Sequence, residues 1–123
     1  LHNLPFVRVE AGRFVRELLP DACCQALYLF FPDPWPKRRH HKNRFFRQEM
    51  CDVLARILIP GGAFYMSTDH EDYFREVRDW LAADPRFEPI PALVRPEDEQ
   101  TDFERLFLSK GDPIHDCAFR LKP

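Results

Sequence analysis

Apolar positions in this chain alternate between short continuous runs and helical stripes, and that alternation predicts its elements. Segment 6-FVRVE-10 is β-branched and aromatic and runs into Ala11-Gly12, a strand followed by a turn; Phe14, Val15 and Leu18 then share helical spacing until Pro20. The run 26-ALYLFF-31 predicts a strand covered on both faces. Pro32, Pro34 and Pro36 hold the next residues out of any helix. Between about 44 and 58, Phe45, Phe46, Met50, Val53, Leu54, Ile57 and Leu58 make a wide apolar stripe, predicting a helix that stops at Pro60-Gly61-Gly62 before a strand 63-AFYMST-68. A second amphipathic helix is predicted over 71–83, with Tyr73, Phe74, Val77, Trp80 and Leu81 inward. Residues 87–94 read as a proline-interrupted edge, 95–102 as a polar loop, 103–111 as a short helix closed by Gly111, and 114–121 as an alternating last strand.

Strands alternating with helices, with a strand pair near the end, describe an α/β sheet with an antiparallel closing strand. The chain has 123 residues and neither an internal repeat nor a linker, so 1–123 reads as one domain. In open α/β sheets, ligands gather outside the carboxyl ends of the strands. Glu10, Asp33 and Asp69 each fall just beyond such an end.

Charge sharpens this picture. The net charge is −2, yet six cations and no acid lie within 37–47 (Lys37, Arg38, Arg39, Lys42, Arg44 and Arg47), which leaves the rest of the chain at −8. A local positive patch on an acidic body points to a directed anionic partner; a solvated charged face is the plainer alternative. Cys23, Cys24, Cys51 and Cys117 have neither metal-ligand spacing nor an obvious disulfide framework, so reduced thiols, no metal and a cytoplasmic compartment are expected. No run is long enough to span a membrane, and no signal-peptide pattern is present.

Asp33 sits between two prolines, so its carboxylate is aimed by a stiff backbone, and Trp35 offers a flat face beside it. Such a pair can orient a heterocycle by accepting its N–H donors and stacking on it; equally, Asp33 can cap a turn while Trp35 packs. The cations that follow supply sequence-independent affinity for a polynucleotide through counterion release. They exceed what one free mononucleotide phosphate needs. Thr101 and Glu104 in 101-TDFE-104 make a capping box, or else stand at the cleft mouth holding a substrate edge.

Three stretches, 29-LFFPDPWPKRRHHKNR-44, 61-GGAFYMSTD-69 and 101-TDFERLFLSKGDPI-114, closely resemble the bacterial tRNA (guanine-N7)-methyltransferase family in content and order. The resemblance implies a Rossmann-like class I methyltransferase sheet, S-adenosylmethionine as cofactor and tRNA as substrate. It matches Asp33 to the family's proposed catalytic acid, which also lies near the cofactor. It further implies substrate contacts for Lys37 and Asp69 and for Thr101, Asp102, Phe103 and Glu104, and RNA-backbone contacts for Arg38, Arg39, Lys42 and Arg44. Glu10 stands where the family usually has Asp before Ala, at the cofactor's adenosine end, and is one methylene longer.

The implied reaction moves a methyl group from a sulfonium to guanine N7. That nitrogen carries an in-plane lone pair, so no proton need leave before attack. Asp33 then orients guanine through N1–H or N2–H, or complements the positive charge of the product; alignment supplies most of the acceleration. The chain departs from the family in one respect: its four glycines, Gly12, Gly61, Gly62 and Gly111, contain no G-x-G loop. The resemblance begins at the family's third strand. In the family's strand order 3-2-1-4-5-7-6, this implies a partial domain: a 4-5-7-6 sheet plus an orphan strand at 6–10, with the cofactor's cradle missing and the chain alone weak or inactive. Two other readings stand beside it, a non-catalytic RNA-binding fragment and a related nucleic-acid amino-methyltransferase. Enzymes of the latter kind show Asn or Asp, then Pro-Pro and an aromatic, against Asp-Pro-Trp here.

Overall fold

The computed structural model describes residues 14–92 and 113–123. After a π-helical turn Phe14–Leu18 come strand β1 (Cys24–Phe30), a 3-10 turn Arg38–Asn43, helix α1 (Met50–Ile57) and strand β2 (Leu58–Thr68). Helix α2 (Glu71–Ala83) and strands β3 (Phe87–Ile90) and β4 (His115–Leu121) follow. The predicted strand at 6–10, the loop at 95–102 and the helix at 103–111 lie outside the described residues.

Among the described residues the sheet order is β1-β2-β4-β3. β1 and β2 are parallel, whereas β4 is antiparallel to both of its neighbours. The mixed α/β sheet with an antiparallel closing strand is therefore the one expected, and its four strands stand in the 4-5-7-6 order.

The core lies on one face. Leu27, Phe64, Met66 and Phe119 project from the strands against Met50, Leu54 and Ile57 of α1 and Tyr73, Val77 and Leu81 of α2, all buried. Phe46 joins this layer, its ring 5.2 Å from Phe64 and stacked on Trp80 at 6.4 Å. On the opposite face Tyr28 pairs in register with Tyr65, and the two rings stack at 5.1 Å; both are half-buried. The expectation that 26–31 is covered on both faces gives way to a strand in which Leu27 is fully buried and its neighbours are half-buried, because among the described residues α1 and α2 both pack on the Leu27 face. Arg56 fastens the first turn to this core by donating to the carbonyls of Leu19 at 2.6 Å, Arg16 at 3.1 Å and Val15 at 3.3 Å, orphan acceptors at a helix end.

Two boundaries differ from those predicted. α1 begins at Met50, about six residues late, because the backbone at Arg44 is extended (ψ 140) and the Phe46 amide is engaged by a side chain. β2 begins at Leu58 and runs through Pro60-Gly61-Gly62 as an irregularity: Cys24 pairs with Leu58, but Ala26 already pairs with Ala63. Gly61 has φ +83, and a Cβ on Gly62 would stand 2.9 Å from the Ile59 carbonyl oxygen and 3.2 Å from those of Cys24 and Gln25. A proline-glycine cluster that reads as a breaker is here a bulge inside a strand.

α2 is framed as the sequence predicts. The His70 ring accepts from the Tyr73 amide at 3.1 Å, Thr68 Oγ1 accepts from the His70 amide at 3.2 Å, and Glu71 and Asp72 place negative charge in the first turn. The four cysteines are free. No helix among the described residues is long and apolar enough to cross a membrane.

Candidate functional site

The parallel strands β1 and β2 end side by side, with Phe30 opposite Ser67. Asp33 lies three residues past the end of β1, and Asp69 directly follows β2; both are exposed. Two of the expected strand-end acids therefore share one end of the sheet. Glu10 falls outside the described residues, as do Thr101, Asp102, Phe103 and Glu104.

The loop carrying Asp33 is held at several points. The Phe31 amide continues the sheet by donating to the Ser67 carbonyl at 2.7 Å. Phe31 and Trp35 then adopt positive φ, 50 and 41, bracketing Pro32-Asp33-Pro34. Bulky residues in this region are strained, and such strain persists only where the surroundings impose it. Here Arg44 Nε donates to the Pro34 carbonyl at 2.6 Å, and the His41 ring meets the Pro36 carbonyl at 3.3 Å. Trp35 remains 37% exposed and takes the His40 ring edge-on at 5.8 Å. It thus stands partly exposed at the surface, two residues from Asp33 in the chain.

The basic run divides into two kinds of residue. Lys37, Arg38, Arg39 and Lys42 are exposed, the last three on the 3-10 turn, and have no ion-pair partner among the described residues. Arg47 pairs with Glu49 at 2.9 Å. Arg44 differs most from expectation. It was placed with the RNA-facing cations, but only 3% of it is exposed. Its guanidinium lies 4.6 Å over the Tyr73 ring and reaches Glu76 at 3.1 Å. A buried arginine needs its donors satisfied, and here they are turned inward toward α2 and Pro34 instead of toward a phosphate. Within a run of cations nothing in the sequence singles it out.

Tyr73 supports this arrangement from below: it is fully buried, and its phenol oxygen accepts from the Phe46 amide at 2.8 Å. Burial pushes the phenol up to about 12, partly offset by that bond and by Arg44, so it stays protonated. Next to the clamp a cleft of about 280 Å3 opens between the 3-10 turn and α2, lined by Pro36, His41, His70, Asp72 and Arg75 among others. Across the strand end Ser67 Oγ donates to Asp116 of β4.

The fold thus brings to one end of an α/β sheet an exposed carboxylate, a part-exposed tryptophan and four exposed cations. The model of a family described as putative methyltransferase matches residues 1–117, and the chain belongs to that family. Among curated proteins it is similar to the tRNA (guanine-N(7)-)-methyltransferase of Halorhodospira halophila, 44% identical over 100% of this chain and 55% of that protein. The protein of the same name from Treponema pallidum is 40% identical over 97% of this chain and 48% of its own length. The chain thus spans about half the length of the curated relatives it matches. Among solved structures, that of the aminoglycoside resistance methyltransferase NpmB1 aligns with 82% of this chain and 53% of its own at 14% identity, with a TM-score of 0.48.

Proposed function

We propose that this chain supplies the substrate-facing part of a cytoplasmic, S-adenosylmethionine-dependent enzyme that methylates N7 of guanine in tRNA. The observation that carries the reading is Asp33: exposed past β1, fixed between strained residues, and followed within a few residues by four exposed cations that have no ion-pair partner among the described residues. The names of its relatives supply the reaction and the substrate.

S-adenosylmethionine would bring the methyl group as a sulfonium. The described residues do not fit the whole of that cofactor. Their two glycines, Gly61 and Gly62, are taken up by the bulge in β2, where Gly62 lies against backbone carbonyls of β1. Among the described residues, Asp33 is proposed to lie near the cofactor, and no glycine-rich loop accompanies it there.

On the substrate side, Asp33 accepts from guanine N1–H or N2–H and offsets the positive charge that N7 alkylation places on the purine. Lys37 and Asp69 contact the substrate from neighbouring positions at the same sheet end. Arg38, Arg39 and Lys42 carry the RNA backbone, which supplies affinity without sequence preference. Glu10 and residues 101–104 keep the cofactor and substrate roles that the resemblance implies.

Asp33→Ala in the whole protein tests the reading. Methyl transfer to tRNA should fall at least a hundredfold while tRNA affinity stays within twofold; activity near wild type would remove Asp33 from the site. A second reading is RNA binding without catalysis, for which the exposed cations Lys37, Arg38, Arg39 and Lys42 are the supporting observation. Calorimetric titration of this chain with tRNA and with S-adenosylmethionine separates the two. Binding to tRNA alone fits a part that carries the substrate platform, and micromolar binding of the cofactor would mean that these 123 residues supply its pocket.

A further inference from the structure

We infer that Arg44 is a positioning residue for the Asp33 loop, acting through the Pro34 carbonyl, and not a ligand of the RNA. The inference rests on the role proposed above for Asp33, and it says how that carboxylate is held.

The chain of contacts is continuous. Tyr73 is fixed in α2 by burial and by the Phe46 amide. The Arg44 guanidinium lies over its ring, with Glu76, one turn further along α2, on the NH1 side. From that seat Nε points to the Pro34 carbonyl, adjacent to Asp33 in sequence. Asp33 lies between two prolines, so fixing the Pro34 carbonyl removes much of the remaining freedom of its backbone. The opposite end of the loop is already tied to β2 through Phe31 and Ser67. Both sheet and helix thus grip the segment that holds Phe31 and Trp35 at positive φ.

The geometry requires arginine in particular. A planar guanidinium can lie over a ring and donate in two directions at once; a lysine ammonium is a point charge on a flexible stem. A small displacement of an aligned group can cost about a hundredfold in rate.

Arg44→Lys in the whole protein, studied well below its melting temperature, is the deciding variant. The expected result has three parts: amide exchange at Phe31 and His40, the loop amides held by backbone hydrogen bonds, rises at least tenfold, kcat falls about ten- to a hundredfold, and tRNA affinity and its salt dependence stay within twofold. If instead tRNA affinity drops tenfold with unchanged exchange, Arg44 is a phosphate ligand and the inference is overturned. Unchanged exchange with unchanged kcat overturns it equally. Should Arg44→Lys fail to fold, Glu76→Ala removes the anchor on the NH1 side and so weakens the hold of the guanidinium on Pro34; the same local rise in exchange, with the same outcomes, is read there. Exchange reports the clamp without reference to activity, so a whole protein that methylates no guanine N7 in tRNA defeats the functional reading while exchange still decides this one.

Discussion

The Phe46 amide donates to the phenol oxygen of Tyr73 at 2.8 Å, joining residues 27 positions apart. The bond satisfies a buried amide that lies ahead of the first turn of α1, and it ties the ring that lies beneath Arg44 to this segment. Tyr73→Phe would leave a buried amide without an acceptor, a loss of about 1–3 kcal/mol. Chemical denaturation should show a lower midpoint with an unchanged slope. The same variant isolates a pH effect. The Tyr73 phenol ionises at about 12 in the fold and near its ordinary value of about 10 when unfolded. Its contribution is therefore complete below pH 10 and is lost as pH rises through 12, because there the unfolded chain has released the proton that the folded chain keeps. Wild type should lose stability over that window more steeply than Tyr73→Phe does; parallel slopes would mean that Tyr73 ionises normally.

Replacing Arg38, Arg39 and Lys42 together by Ala should weaken tRNA binding and reduce the slope of log K against log salt by about 2–3, at roughly 0.7–0.9 per phosphate contact. Arg44 and Arg47, already paired with Glu76 and Glu49, should add little to that slope. A slope unchanged in the triple variant would make the 3-10 turn an ordinary solvated surface.

The two glycines of the β2 bulge should behave differently. Gly61 needs a left-handed backbone but has nothing within 4 Å of a built Cβ, so Gly61→Asn meets backbone strain alone and should cost at most about 1 kcal/mol. Gly62→Ala drives a methyl group into three backbone carbonyls and should cost about 1–3 kcal/mol. Melting temperatures of the two variants decide the point, and equal losses would show that β1 and β2 separate easily at this end.

How far the chain could be read ahead of its structure varied with the physical origin of each feature. α2 was legible to its ends because its apolar face repeats with helical period and its start and stop are signalled within a few residues. The strand order followed from the resemblance carried by 29–44, 61–69 and 101–114, not from local pattern. The start of α1 was missed because Phe45 and Phe46 fit helical spacing while the Phe46 amide is claimed by Tyr73, a contact 27 residues away. β2 was begun too late because Pro60-Gly61-Gly62 looks the same as a breaker or as a bulge until its partner strand is known. At the site, the place of Asp33 just beyond a strand end was legible because the apolar run 26–31 gives way to prolines. The inward turn of Arg44 did not, since it depends on Tyr73 and Glu76 arriving from α2.

β4 lies between β2 and β3, although it follows both in the chain. During synthesis β3 therefore emerges with no strand to pair with among the described residues, and one side of β2 stays open. Both wait for His115–Leu121, whose residues contribute Phe119 to the core and meet β2 in register from Ala63 to Thr68. A ribosome that stalls before that segment would leave two unsatisfied strand edges and an uncovered Phe64, a template for pairing with another nascent chain. Among the described strands, the one that comes last in the chain is the one that joins the other two edges.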